Sequence, residues 1–140
     1  MTPVFCRVKH DPENGTYGDC LRACVATVLD LQPEAVPHFA HDGAEAEVVT
    51  SRLTAWLREQ GLAPWITCYD PNETRQNVLD VLHEQSPGPC FMLFGRTASD
   101  GDHVVVCRDG KVEHDPAWYG SPLVKGSVVG AWVVMVFVKL

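Results

Sequence analysis

The hydrophobic pattern of the chain changes character near Pro89. Before that point apolar residues recur at helical spacing, and after it they gather in short runs that are typical of β-strands. The pattern predicts three helices, over 20–31, 44–60 and 73–84, with a short strand over 65–69. It then predicts strands over 90–94, 103–107, 111–114 and 128–138. Helices followed by an antiparallel sheet are typical of the α+β class, and we expect one domain over 1–140.

Turn and cap residues mark the ends of these elements. The segment 11–19 is turn-forming throughout, and the carboxylate of Asp19 is expected to cap a helix that begins near Cys20. Gly61 is expected to stop the second helix. The sequence Asp109-Gly110 within 108–111 predicts a tight hairpin between the strands on either side.

Composition and charge narrow the function classes. Hydrophobic residues make up 46% of the chain and charged residues 21%, which is typical of globular proteins, and the net charge is -7. An acidic surface repels phosphate backbones and anionic lipid, so we expect neither nucleic acid nor membranes as partners. Residues 1–6 lack the pattern of a signal peptide, which predicts a cytoplasmic protein. In a reducing compartment the six cysteines are core residues, metal ligands or nucleophiles rather than disulfides.

Cys20 is the cysteine whose position favours chemistry. It lies where the loop Gly-Thr-Tyr-Gly-Asp leads into the first helix, so the positive end of the helix dipole would stabilise its thiolate. Its own backbone amide, which has no partner in the first turn, would be free to bind a developing oxyanion. Cys20 is therefore the candidate nucleophile.

The candidate base and its partner come from the predicted hairpin. His103 opens the strand Val-Val-Val, and Asp115 follows the next strand in the sequence His-Asp-Pro. The two residues are equally distant from position 109, inside the predicted turn. Antiparallel pairing therefore predicts that the imidazole and the carboxylate lie side by side, with Asp115 orienting His103.

The motifs around these residues resemble those of the papain-like cysteine peptidase superfamily, and in particular its bacteriocin-processing branch, which cuts double-glycine leader peptides. The shared features are Gly-Asp-Cys opening a helix at Cys20, His-Val-Val at 103–105 and Asp-Pro at 115–116. The resemblance implies a papain-like fold, in which the Cys20 helix packs on an antiparallel sheet. It also implies that a side-chain amide six residues before the nucleophile, here Asn14, completes the oxyanion hole. Leu21 stands where that branch has Gly.

Several further residues have both a functional and a structural interpretation. Gly18 and Asp19, just before the nucleophile, are candidate substrate contacts. Trp118 is another, although covering the sheet edge explains it equally well. Cys24 and the other cysteines are expected in the core. A metal site built on Cys20 and Cys24 lacks the second cysteine pair of structural zinc sites, so no metal and no cofactor are predicted.

The sequence thus predicts a cysteine-dependent hydrolase of peptide or isopeptide amide bonds, acting on a peptide or protein substrate. Two alternatives stay open. One is a glutamine deamidase or transglutaminase-like acyl transferase that uses the same three residues. The other is a catalytically inactive domain that binds a protein partner. The sequence leaves the oligomeric state undetermined.

Overall fold

The computed structural model describes residues 1–117 and 122–140, which form three α-helices and six β-strands. The helices are α1 (Cys20–Leu29), α2 (Ala46–Glu59) and α3 (Arg75–Gln85). The strands are β1 (Leu62–Tyr69), β2 (Phe91–Thr97), β3 (Asp102–Arg108), β4 (Lys111–His114), β5 (Leu123–Gly126) and β6 (Trp132–Lys139). All the strand pairs are antiparallel, so the prediction of the α+β class is confirmed.

The strands form one sheet in the order β1-β6-β2-β3-β4, and β5 pairs with the far end of β2. Strands β2, β3 and β4 follow one another along the chain and in space. Strand β6 returns to lie between β1 and β2. As a result β3, which carries His103, has a hydrogen-bonded neighbour on each side.

The central strands β2 and β3 are buried on both faces of the sheet. Helices α1 and α2 cover one face, where Cys24 and Leu53 pack with Val104 and other buried residues. Helix α3 covers the other face, where Leu79 packs with Val105. Successive side chains of β3 enter the two cores in turn. Both faces of this strand are therefore apolar, which explains why its Val-Val-Val run does not alternate with polar residues.

The helix ends have local causes. Helix α1 stops two residues before the predicted end, because Asp30 adopts the left-handed conformation with φ 56°. Gly61 follows α2 with φ 76°, as predicted for its stop. The hydroxyl of Thr74 accepts the backbone N–H of Asn77 and caps α3. None of the described helices combines the length and apolar composition that crossing a membrane requires.

The prediction of one strand over 128–138 is wrong in its first part. Val128 and Val129 are exposed, and they lie in a turn that the N–H of Ser127 closes by donating to the carbonyl of Ala131. Strand β6 begins only after that turn, and β5, which precedes the turn, was not predicted. The valines favour a strand locally, but Gly130 at φ 84° permits the reversal that pairs β5 and β6 with β2.

Gly95, on β2, lies where a buried tryptophan packs closely on the sheet. A Cβ at this position would lie 2.6 Å from Cζ3 of Trp132 and 2.8 Å from the carbonyl oxygen of Lys125. Because both neighbours are held in place by burial or strand pairing, we expect Gly95→Ala to lower the free energy of unfolding by about 1–3 kcal/mol. Urea denaturation measures the change. Gly101→Ala is the matched control, because its Cβ would meet only Thr97 Oγ1 at 3.6 Å. Equal losses in the two variants would contradict the prediction.

Candidate active site

Cys20 is the first residue of α1, as predicted. Helix α1 packs along β3, where the thiol of Cys24 donates to the carbonyl of Val104 at 3.5 Å. Cys20 lies four residues, about 6 Å along the helix axis, before Cys24. His103 is the residue before Val104. Cys6 links the two residues, because its sulfur lies 2.8 Å from that of Cys20 and its N–H donates to the carbonyl of Pro116, next to the Asp115 that bonds His103.

His103 and Asp115 form a direct pair. The ring Nε2 of His103 donates to Oδ1 of Asp115 at 2.6 Å, and the His103 side chain is only 7% exposed. The same Oδ1 also accepts the backbone N–H of Ala117. Burial acts to raise the pKa of the Asp115 carboxyl, but the hydrogen bonds from His103 and Ala117 outweigh it and hold that pKa below its ordinary value. Asp115 therefore presents a negative charge to the imidazole at neutral pH.

The pair forms through a different strand register from the predicted one. Asp109 and Gly110, with φ 55° and 76°, make the predicted two-residue turn, so Arg108 pairs with Lys111. A β-bulge after Val106 then shifts the register, and Val106 pairs with His114. Continued by one residue, this register puts Asp115 opposite Val105, on the same face as His103. The two side chains therefore meet diagonally rather than as direct cross-strand partners.

The hydrogen bond that Cys20 makes within the described part of the chain goes to Cys6, not to His103. The two sulfur atoms are 2.8 Å apart, and both cysteines are free thiols. Cys6 is buried, and its backbone N–H donates to the carbonyl of Pro116, the residue after Asp115. The Cys6 thiol therefore lies between Cys20 and the segment that bears Asp115.

The Cys6 thiol is a weaker acid than an ordinary thiol. The hydrogen bond to Cys20 is the largest influence on it and raises its pKa, and burial raises that pKa further. The charge of His103 acts in the opposite sense but is outweighed. Cys6 therefore holds its proton firmly beside the sulfur of Cys20.

Asp19 does not cap α1, so that expectation is wrong. Its side chain accepts no backbone N–H of the first turn, and Asp19 is only 2% exposed. One carboxylate oxygen accepts the backbone N–H groups of Arg7 and Val8, and the other accepts two N–H groups of Arg22. Burial acts to raise the pKa of Asp19, but these hydrogen bonds outweigh it and hold the pKa below its ordinary value. The carboxylate thus serves the fold instead of facing a substrate.

The diversion of Asp19 has a consequence for the first turn of α1. The amide N–H groups of Cys20, Leu21 and Arg22 have no partner within the helix, because the first helical bond runs from Ala23 N to the carbonyl of Asp19. Since Asp19 does not use them, these amides can donate to an oxyanion beside the Cys20 sulfur.

The structure gives the predicted role of Asn14 in the oxyanion hole no support. Asn14 is exposed, and its side-chain amide donates to Asp11 at 2.7 Å, within the surface turn 11–16. The N–H of Gly18 is engaged as well, because it donates to the ring Nδ1 of His10 at 3.1 Å. Trp118 lies outside the described residues.

The remaining cysteines divide between core and surface. Cys24 and Cys107 are fully buried, and burial raises the pKa of each thiol, to about 12 for Cys107. Cys68 is exposed on β1, so its assignment to the core is wrong. Among the described residues, no three or more His, Cys, Asp or Glu side chains are grouped so that they could hold a metal ion.

The role of Cys6 was not predicted, because no pattern in the sequence relates its segment to Cys20. The buried ring of His114 donates through Nε2 to the carbonyl of Val4. Residues 4–8, which we call the N-terminal strap, are thus bound to both α1 and β4. The available signal in the sequence was a second cysteine 14 residues before the candidate nucleophile. Only the fold of the strap shows that the two thiols are in contact.

The charge of Asp19 should govern the acid stability of the protein. Its pKa is lowered in the folded state, so on acidification the unfolded chain takes up the proton first, near pH ~4. Stability from this group is therefore complete above that pH and is lost as the pH falls towards the folded pKa. We expect Asp19→Asn to lower the free energy of unfolding by about 1–3 kcal/mol at pH 7 and to flatten its decline in acid. Urea denaturation between pH 7 and pH 3 measures both.

The control for this variant is Asp109→Asn, in the exposed hairpin turn, where Asn adopts the same positive φ readily. It should keep the wild-type stability and the wild-type dependence on pH. An Asp19→Asn curve parallel to that of the wild type would contradict the assigned role of Asp19.

Comparison with models of known protein families gives no match, and no curated protein or solved structure matches the chain. The function of the site is therefore inferred from its own geometry and chemistry.

Proposed function

We propose that this protein is a cysteine-dependent hydrolase of peptide or isopeptide amide bonds. Cys20 is the nucleophile, His103 is the acid and base, and Asp115 orients His103. The observation that carries the proposal is the pair of the buried His103 ring and the Asp115 carboxylate at 2.6 Å, with Cys6, the neighbour of Cys20, bonded to the adjacent Pro116. A buried imidazole paired with an ionised carboxylate is an arrangement used for proton transfer.

The roles of the two imidazole nitrogens follow from the pair. Nε2 of His103 donates to Asp115, which fixes the orientation of the ring. Nδ1 makes no hydrogen bond to another described residue, so it is the nitrogen available to exchange a proton with Cys20 and with the leaving group. Asp115 acts through His103 and does not itself take the proton.

The reaction proceeds by acyl transfer. The Cys20 thiolate attacks the substrate carbonyl, and the amides in the first turn of α1 hold the oxyanion that forms. His103 protonates the leaving amine, which departs and leaves a thioester on Cys20. His103 then takes a proton from water, which attacks the thioester and restores the thiol. In this mechanism the first-turn amides take the place of Asn14, whose side chain is engaged with Asp11.

The proposed fold family is papain-like, at finer detail than the α+β class. The chain order Cys, His, Asp supports it. So does the packing of the Cys20 helix, α1, on the antiparallel strand β3, whose second residue is His103. The acidic net charge of -7 favours a substrate with neutral or basic residues around the scissile bond.

Reaction with iodoacetamide tests whether Cys20 is activated. Cys68 is exposed and serves as a reference thiol in the same molecule. At about pH 6.5, below the ordinary thiol pKa of about 8.5, we expect Cys20 in the reduced protein to be labelled at least about tenfold faster than Cys68. Peptide mass spectrometry over a pH series measures both rates.

Two variants separate activation from mere accessibility. His103→Ala should remove the advantage of Cys20 at low pH, because the imidazolium no longer stabilises the thiolate. Cys68→Ser should leave the labelling of Cys20 unchanged. Faster labelling of Cys68 than of Cys20 across the whole pH range would overturn the proposal and favour an inactive, partner-binding domain. With a peptide substrate, new chain termini identify a peptidase, and ammonia from an intact chain identifies a deamidase.

A further inference from the structure

The closest neighbour of the candidate nucleophile is a second thiol, and this contact points to a site of reversible modification. We propose that Cys6 is a resolving cysteine: a hydroperoxide oxidises Cys20, and Cys6 then closes a disulfide with it. The observation that carries the proposal is the 2.8 Å separation of the two free sulfur atoms, which come from segments 14 residues apart. A disulfide needs about 2 Å between the sulfurs, so a small side-chain adjustment is enough.

The N-terminal strap holds Cys6 at this position. The strap makes backbone hydrogen bonds on both sides of Cys6, so the thiol is presented to Cys20 in a fixed geometry. Before Cys6, Val4 donates to Thr27 and accepts from His114. After it, Arg7 and Val8 donate to Asp19. Cys6 itself donates to Pro116. Fixing two reactants in this way raises their effective concentration far above that of an external thiol.

The chemistry balances in two steps. In the first, the Cys20 thiolate attacks the outer oxygen of the hydroperoxide, the O–O bond breaks, and an S–O bond forms. The alcohol leaves with a proton from solvent, and Cys20 becomes a sulfenic acid. In the second, the Cys6 sulfur attacks the Cys20 sulfur, the S–O bond breaks, and water leaves with the Cys6 proton. The thiols lose two electrons, which the hydroperoxide gains.

The two cysteines differ in ways that suit these different steps. Cys20 is partly exposed and can meet a hydroperoxide, whereas Cys6 is buried and protonated beside it. The hydrogen bond to the Cys20 sulfur is the main reason why the pKa of Cys6 is raised. Oxidation to the sulfenic acid removes the negative charge from Cys20, so this restraint on the Cys6 proton is weakened. The nearby charge of His103, which favours the Cys6 thiolate, remains.

The disulfide would switch off the acyl transfer chemistry, because its sulfur can no longer attack a carbonyl. That consequence rests on the proposed function, whereas the formation of the disulfide does not. An external dithiol would reverse the modification by thiol–disulfide exchange, becoming a disulfide itself. The closed bond also protects Cys20 from irreversible oxidation to the sulfinic acid.

Mass spectrometry of the intact protein tests the proposal. Reduced protein, freed of reductant, is treated with hydrogen peroxide and then digested without reduction. We expect the wild type to lose the mass of two hydrogen atoms and to yield a peptide pair joined through Cys6 and Cys20. Dithiothreitol should restore the original mass. Cys6→Ser should form no such pair, and its Cys20 should give about tenfold more adduct with dimedone, a reagent for sulfenic acids, than the wild type.

Controls separate the resolving role from general oxidation. Cys68→Ser removes an exposed thiol away from this contact and should behave as the wild type. Cys6→Ala removes the side-chain hydrogen bond but retains the main-chain hydrogen bonds of the strap. It should give the same result as Cys6→Ser. Equal dimedone labelling of Cys20 in the wild type and both Cys6 variants would overturn the proposal. If Cys20 alkylates rapidly but no disulfide forms, the hydrolase survives and the resolving role fails. If the disulfide forms but Cys20 alkylates no faster than Cys68, the resolving role survives and the hydrolase fails.

Discussion

The buried carboxylate of Asp19 is the interaction on which the arrangement of the site depends. It stands immediately before Cys20 and binds the N-terminal strap through two backbone amides and α1 through Arg22. A buried charge is tolerated only when it is paired and fully hydrogen-bonded, and Asp19 meets both conditions. By holding the strap, it brings Cys6 to Cys20. By not capping the helix, it leaves the first-turn amides available. One side chain thus decides both the partner of the candidate nucleophile and the donors beside it.

Strand β3 supplies the rigid frame on the other side of the site. Its residues enter two hydrophobic cores alternately, and it is hydrogen-bonded to β2 over 102–107 and to β4 over 106–108. His103 lies at its start, where the cores end and the sheet reaches the surface. The His103 side chain is therefore held by the rigidity of the sheet and is only 7% exposed. Asp115 lies just after the end of β4, and its hydrogen bond to the His103 ring fixes the orientation of that ring.

The contrast between the cysteines shows how position decides chemistry. Cys24 lies one turn after Cys20 on the same helix, but it is sealed in the core, where burial raises the pKa of its thiol. Cys20 is partly exposed at the helix start and shares a hydrogen bond with Cys6. The same side chain is therefore an inert core residue in one place and a candidate nucleophile in the other.

The sequence by itself determined the features that depend on local backbone preferences. Gly61 ends α2 and Asp109-Gly110 forms the hairpin turn, because positive φ angles are favoured by these residues. The start of α1 at Cys20 followed from the turn-forming segment before it, and the α+β class followed from hydrophobic periodicity. Only the tertiary structure decided the bulge that brings His103 and Asp115 together, the burial of Asp19 and the position of Cys6 on Cys20. Each of these depends on contacts between segments distant in the chain, and such contacts leave no periodic signal in the sequence.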